Sequence, residues 1–277
     1  MRKTVIRSKE SLFNVDLNEI IHYRDLLMMF VKRDIVTSYK QTILGPAWFF
    51  VNPILTTIMY MVVFGAIAKI STDGLPQPLF YLSGICLWNY FSECINRTSD
   101  VFVANEYVFG KVYFPRMIMP LSTVISQILR FGIQLLLFVA LYIFYIAQGV
   151  AIAPNWHLLL LPLLVAMLAG LSLGCGIIVS SMTTKYRDLK NLFSFFVSLW
   201  MYATPVIYPL STLSPSKQWI ASINPVTPIF EAFKYGSMGV GIFSWTQLAY
   251  SFAFMLVLLF FGALIFNKVQ RSFMDTV

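Results

Sequence analysis

Charge is scarce in this chain of 277 residues: Asp, Glu, Lys and Arg together make up 12% of it, about half the 25% of an ordinary soluble domain. Histidine is scarcer, with His22 and His157 far apart, and the three cysteines, Cys86, Cys94 and Cys175, form no CxxC. Neither a metal site nor a disulfide framework is suggested, so no metal ligand is expected. GxxxxGK[ST] does not occur, so ATP phosphates are not cradled by that loop and no cofactor is expected on this chain. A Ser, His and Asp arrangement for nucleophilic catalysis is also missing. The first 46 residues carry eight Lys or Arg and no short apolar core followed by small residues. A cleavable signal peptide is therefore not expected, and the first membrane span itself directs insertion.

What is present is apolar surface. Hydrophobic residues make up 58% of the chain and its mean hydropathy is +0.74, above the roughly 45–50% of soluble domains. This composition predicts an all-α integral membrane protein. Apolar stretches near the length of a bilayer crossing lie at about 47–68, 79–103, 118–147, 158–182, 191–210 and 247–267. They divide the chain into a tail, 1–46, and a six-span transmembrane domain, 47–277. Fifteen Lys or Arg residues fall in the tail, the second and fourth connections and the C-terminal tail, all on one side. Only Lys69, Lys217 and Lys234 fall on the other, so both termini are expected in the cytoplasm. The net charge of +8 thus follows from topology. Basic residues this dispersed, without a recognition motif, do not point to nucleic acid. The sequon Asn96-Arg97-Thr98 lies within a span, which argues against glycosylation. With 25 Phe, 14 Tyr and 6 Trp, aromatics exceed what interfacial belts use, leaving a surplus to line a path.

The tetrapeptide YRDL occurs twice, at residues 23–26 and 186–189, each time beside a long apolar run, and Arg33-Asp34 follows the first copy. Adjacent helical residues point about 100° apart and pair poorly, so each charge is expected to find another partner. Over residues 20–40, Ile20, Tyr23, Leu27, Phe30, Val31 and Ile35 share one helical face, with His22, Asp25, Lys32, Arg33 and Lys40 opposite. This predicts an interfacial amphipathic helix that ends before Gly45-Pro46. Arg24 and Asp34 fall on its apolar side, where they either snorkel to headgroups or dock on another polypeptide. The second YRDL sits at a tight turn, where Arg187 and Asp188 are read as fastening the bundle.

Charges also interrupt the spans. Glu93, Arg97 and Asp100 lie in the second, with Glu93 and Arg97 four apart in the favourable order. Arg130 in the third has no acid within a helical turn, so an acid of the second span is its expected partner. Fastening outweighs a transport role for this group, because paired charges also hold bundles together. From about 203 to 246 the chain is too apolar for a free loop and too rich in proline for one straight span, which predicts short re-entrant or gate helices on the outer side.

Taken in order, YRDLLMMFVKRD with YKQTILGPAW, LWNYFSE, KVYFPR with Pro120, KYRDLK, TPVIYPLS and NPVTPIFEAFKYGSMG resemble the membrane subunit of bacterial polysaccharide ABC exporters. These are the type-2 ABC permeases that export O-antigen, capsule or teichoic acid chains. The resemblance covers residues 20–240. It implies a multi-pass homodimer in the bacterial inner membrane, with two cytoplasmic ATPase subunits that bind the ATP and Mg, and a lipid-linked glycan as substrate. It also implies ATPase coupling through the tail, with Arg24, Asp25, Arg33 and Asp34, and through the second connection, with Glu106, Lys111, Phe114, Pro115 and Arg116. The channel would be bordered by the first and fifth spans, with Trp48, Tyr60, Trp88, Trp200 and Tyr202 as stacking candidates for sugar rings. Pro205, Pro209, Trp219, Pro225, Phe230 and Phe233 would belong to the gate. Two departures stand out: Ser38 and Lys234 occupy places where the family commonly has a basic residue and Arg, respectively. Three rivals remain at this stage: a type-2 exporter of a drug or lipid, a membrane-embedded glycosyl- or acyltransferase, and an ion-coupled carrier.

Overall fold

The computed structural model of the chain describes residues 17–40, 45–109, 114–184 and 186–274, and every regular element among them is a helix. The tail forms α1, Leu17–His22, and α2, Arg24–Tyr39, where one continuous helix over 20–40 is expected. The break is at Tyr23, whose backbone leaves the helical region at φ −91°, ψ 20°. Phe30 and Val31 are buried on α2, which packs against the helix Ile118–Ala147.

A single 3-10 turn, Gly45–Ala47, leads into α3, Trp48–Tyr60, which continues as wider π turns through Ile67. α4 follows as Gln77–Ser99, then two one-turn helices, α5, Val101–Ala104, and α6, Glu106–Phe109. α7 spans Ile118–Ala147, and α8, Leu161–Thr183, is preceded by a 3-10 turn at Trp156–Leu160. α9 is Leu189–Ala203. Two short helices, α10, Pro215–Ile223, and α11, Thr227–Met238, precede the last, α12, Trp245–Met274.

Among the described residues, four helical segments are long and apolar enough to cross a membrane: Gly45–Ile67, Ile118–Ala147, Trp156–Thr183 and Trp245–Val269. The remaining two stretches of the expected six are helical but different in kind. α4 is the centre of the bundle, enclosed by α3, α7, α8 and α9. Most of its length is buried among these neighbours, while the Glu93 and Arg97 side chains, 46% and 41% exposed, satisfy each other as an ion pair. It ends at Ser99, short of the expected 103, because Asp100 turns out of the helix at φ −105°, ψ 1°. α9 stops at Ala203, seven residues before the expected 210. Thr204 precedes Pro205, and the proline ring drives it into extended geometry at ψ 143°. The 15 residues of α9 rise about 22 Å, less than a hydrocarbon core of about 30 Å.

α8 packs closely on both α4 and α12. The sequence GLSLG at 170–174 places two glycines one turn apart on the α12 side, the small-residue spacing that lets helices approach in lipid. A Cβ at Gly174 would stand 3.1 Å from the Leu258 carbonyl carbon, and one at Gly262 would stand 3.1 Å from the Gly174 carbonyl oxygen. Backbone therefore meets backbone at this seam.

Candidate functional site

At the end of the bundle that carries the tail, α2 is held by both polar and aromatic contacts. Arg33 Nε and Nη2 donate to Asp34 Oδ1 at 2.9 and 2.8 Å, and Nη2 also donates to Asn105 Oδ1 at 3.2 Å. This corrects the expectation that neighbours on the helix do not pair: the long guanidinium stem folds back over the turn. Arg24 lies 3.8 Å from Asp25, and both are almost fully solvated, so this pair contributes little to stability. Phe30 packs on Phe114 with ring centroids 5.7 Å apart. From there the rings continue: Phe114 stacks on Phe109, Phe109 lies 5.6 Å from Phe102, and Phe102 stacks on Phe266 of α12 at 4.6 Å. Arg116 is buried, 6% exposed, with its guanidinium 5.5 Å from the Phe109 centroid. Its guanidinium sits beside this ladder. Pro115 is half-buried beside it, and Lys111 lies outside the described residues.

Glu93 is shared. Its Oε2 accepts from Arg97 Nε at 2.8 Å within α4 and stands 3.4 Å from Arg130 Nη1 of α7. The Arg130 guanidinium also covers the Phe49 ring at 5.0 Å. Asp100, just past α4, accepts from Lys190 Nζ of α9. Arg187 of the second YRDL pairs at 3.8 Å with Glu106, and both side chains are largely exposed. Asp188 holds the N-cap position of α9 without a side-chain capping bond.

The aromatic candidates separate by burial. Trp48 and Tyr202 are exposed; Tyr60 and Trp200 are half-buried, with Tyr60 Oη donating to Met201 Sδ at 3.2 Å. Trp88 is buried in the core between Phe91 and Phe230. On α9, Leu192, Phe195, Phe196, Leu199 and Tyr202 form an exposed apolar stripe, and Leu55, Ile58, Met59 and Val62 form another on α3 and its continuation.

At the opposite end, the segment 203–246 consists of two unlike parts. α10 has no buried residue, and Trp219, Ile220 and Ile223 are exposed on it. α11 is buried along almost its whole length, with Phe230 and Phe233 in the core. Asn224 joins the two parts to α9: its Oδ1 accepts from Trp200 Nε1 at 3.1 Å and its Nδ2 donates to Thr204 Oγ1 at 2.9 Å. Pro205, Pro209 and Pro225 are all buried around this junction. α11 ends at Gly239, φ +73°, where a Cβ would meet the Ala153 carbonyl oxygen at 2.7 Å.

α11 also carries a buried ion pair that the sequence reading does not single out. Lys234 Nζ lies 3.8 Å from Glu231 Oε1, with the side chains 2% and 1% exposed. Lys234 donates to the Pro205 carbonyl and sits 4.3 Å from the centroid of the Phe80 ring. Glu231 Oε2 accepts from the Ile242 amide at 2.9 Å, whereas Oε1 has no hydrogen-bond partner. Desolvation exceeds mutual attraction for both groups, raising the Glu231 carboxyl and lowering the Lys234 ammonium to about 8. The spacing of Glu231 and Lys234, one helical turn apart, is the signal that identifies the pair.

Residues 25–238 match the family described as ABC-2 type transporter, about three quarters of the chain. The O-antigen export system permease protein RfbA of Myxococcus xanthus is 28% identical over 221 residues, covering 79% of this chain and 82% of the relative. The O-antigen export system permease protein RfbA of Klebsiella pneumoniae is 26% identical over 252 residues, covering 91% and 94%. The polysialic acid transport protein KpsM of Escherichia coli is 23% identical over 257 residues, covering 88% and 93%.

Proposed function

Because the chain belongs to the ABC-2 type transporter family, we propose that it is the channel-forming permease subunit of an ATP-driven exporter of lipid-linked polysaccharide in a bacterial inner membrane. The observation that carries this reading is that relatives named for O-antigen export and polysialic acid transport align over most of this chain and most of their own lengths. The chain is a transport subunit and not an enzyme; ATP hydrolysis belongs to a separate subunit. The polymer it moves would be an O-antigen, capsule or teichoic acid chain. The same relatives weigh against the drug or lipid exporter, the membrane transferase and the ion-coupled carrier.

In this reading α4 and α9 complete six spans, both termini are cytoplasmic, and two copies of the chain assemble over two ATPase subunits that bind ATP and Mg. The exposed stripes on α3 and α9 offer this assembly an apolar surface; α7 and α12 expose apolar faces as well, and lipid covers whichever of these the second copy does not. Motion of the ATPase pair would reach α2 and the second connection first. The Phe30 to Phe266 ladder then gives a packed route from α2 to α12.

Deleting the gene for this chain in its source cell is expected to remove the polysaccharide from the surface and trap it inside. Tagged protein expressed from a plasmid should restore surface display and copurify with an ABC ATPase. Unchanged surface polysaccharide in the deletion strain, measured by immunoblot of intact cells, would overturn the proposal.

A further inference from the structure

Between α2, α4, α7 and the first turn of α9 lies a cleft of about 410 Å³, within the roughly 300–1,000 Å³ of small-molecule sites. Apart from Ala104, every residue lining it is polar. Its charges are balanced in pairs: Arg33 with Asp34, Arg97 with Glu93, and Lys190 with Asp100. A phosphate entering here would meet as many acids as bases, and each base already has an acid partner. A cation would meet the converse. Charge therefore selects neither ion.

The unused capacity of the cleft is hydrogen-bond acceptance. Gln127 Oε1 and Asn96 Oδ1 are buried and have no hydrogen-bond partner among the described groups, and Gln127 is only 3% exposed. A buried amide oxygen left without a donor is costly, so both oxygens, covered at present and uncovered by a small rotation of their side chains, favour a ligand that supplies O–H groups. Glu93 and Gln127 also line a second cavity of about 100 Å³, which continues the cleft toward Trp48 and Phe49 of α3. Tyr90, whose buried hydroxyl has the Cys94 thiol beside it, lines that continuation. A sugar ring presents hydroxyl donors around its edge and an apolar C–H face. Amide and carboxylate acceptors leading to aromatic rings match both.

We propose that this cleft is a subsite for neutral, hydroxyl-rich sugar residues of the exported glycan, engaged on the tail side of the bundle before the chain enters the channel. The proposal rests on the transport reading above. The full chain carrying Thr123→Cys, a half-exposed lining position, would be placed in lipid nanodiscs with its ATPase and labelled with a maleimide. The expected result is that delipidated oligosaccharide from the source cell's own surface glycan slows labelling, whereas inorganic phosphate at equal concentration does not. Gln127→Met should raise the oligosaccharide concentration for half protection about tenfold, as expected for one lost hydrogen bond to a buried group. Asn96→Ala provides a second test should Gln127→Met fail to elute as a folded species. Labelling that ignores the oligosaccharide, as in a cleft filled only by water, or equal protection by phosphate, overturns the proposal. Vesicles that export polymer while the cleft stays unprotected overturn the subsite alone. Protection without any export overturns the transport reading alone.

Discussion

Lys234→Met is expected to lower stability by about 3–5 kcal/mol, the usual cost of stranding one member of a buried ion pair. The methionine keeps most of the apolar stem under Phe80 but removes the ammonium from Glu231 and from the Pro205 carbonyl. Glu231 is then left 1% exposed without its cation and with Oε1 lacking a hydrogen bond, and it bears either an uncompensated charge or the cost of taking up a proton. Adding Glu231→Gln removes that charge and should recover most of the loss, because replacing both members of a buried pair is often close to neutral. Thermal midpoints of the purified single and double variants measure this. If the double variant is as unstable as Lys234→Met, the destabilisation does not come from the stranded charge. The pair also changes how the outer segment can be tested. A deletion through 214–236 removes the buried core of α11, so a leak or export assay of the expected gate is made by deleting α10 alone, which has no buried residue.

Phe109→Ala is expected to separate ATP hydrolysis from export. Phe109 is buried at the middle of the aromatic ladder, touching Phe102 and Phe114 and lying under the Arg116 guanidinium. Removing a buried Phe side chain costs about 3–5 kcal/mol when the site cannot collapse. Here the gap would fall between α2 and α12, the two elements the ladder connects. In vesicles containing the ATPase subunit, hydrolysis should persist while polymer moved per ATP falls sharply. Phe109→Leu, which keeps most of the volume, should retain most of the coupling. Normal transport per ATP in Phe109→Ala would show that coupling does not run through this ring.

Much of the bundle was legible from apolar length alone. The expected stretch at 118–147 coincides with α7, and those at 47–68, 158–182 and 247–267 each fall on a helix long and apolar enough to cross a membrane. α4 and α9 were legible as helices, but their ends were not. One ends at Asp100, where the backbone simply turns, and the other at Thr204-Pro205, a local rule that an apolar run overrides in a reading by hydropathy. The partner of Arg130 was legible because an intramembrane cation without an acid on its own helix needs one nearby. The pairing of Arg33 with Asp34 was not, since helical angles describe Cβ directions and not the reach of a guanidinium. The aromatic ladder joins residues from 30 to 266 and leaves no periodic trace. The two copies of YRDL meet different surroundings. The first leaves Arg24 and Asp25 in solvent, and the second reaches Glu106 in the connection after α4.

The most direct test of the central claim is ATP-dependent movement of lipid-linked polysaccharide in sealed vesicles that contain only this chain and its ATPase subunit. With the ATPase facing outward, the account predicts that polymer added to the outer leaflet becomes protected from an external glycan-degrading enzyme when ATP is supplied, and stays exposed with a non-hydrolysable analogue. Polymer that remains fully degradable after ATP hydrolysis by the complete complex would contradict it.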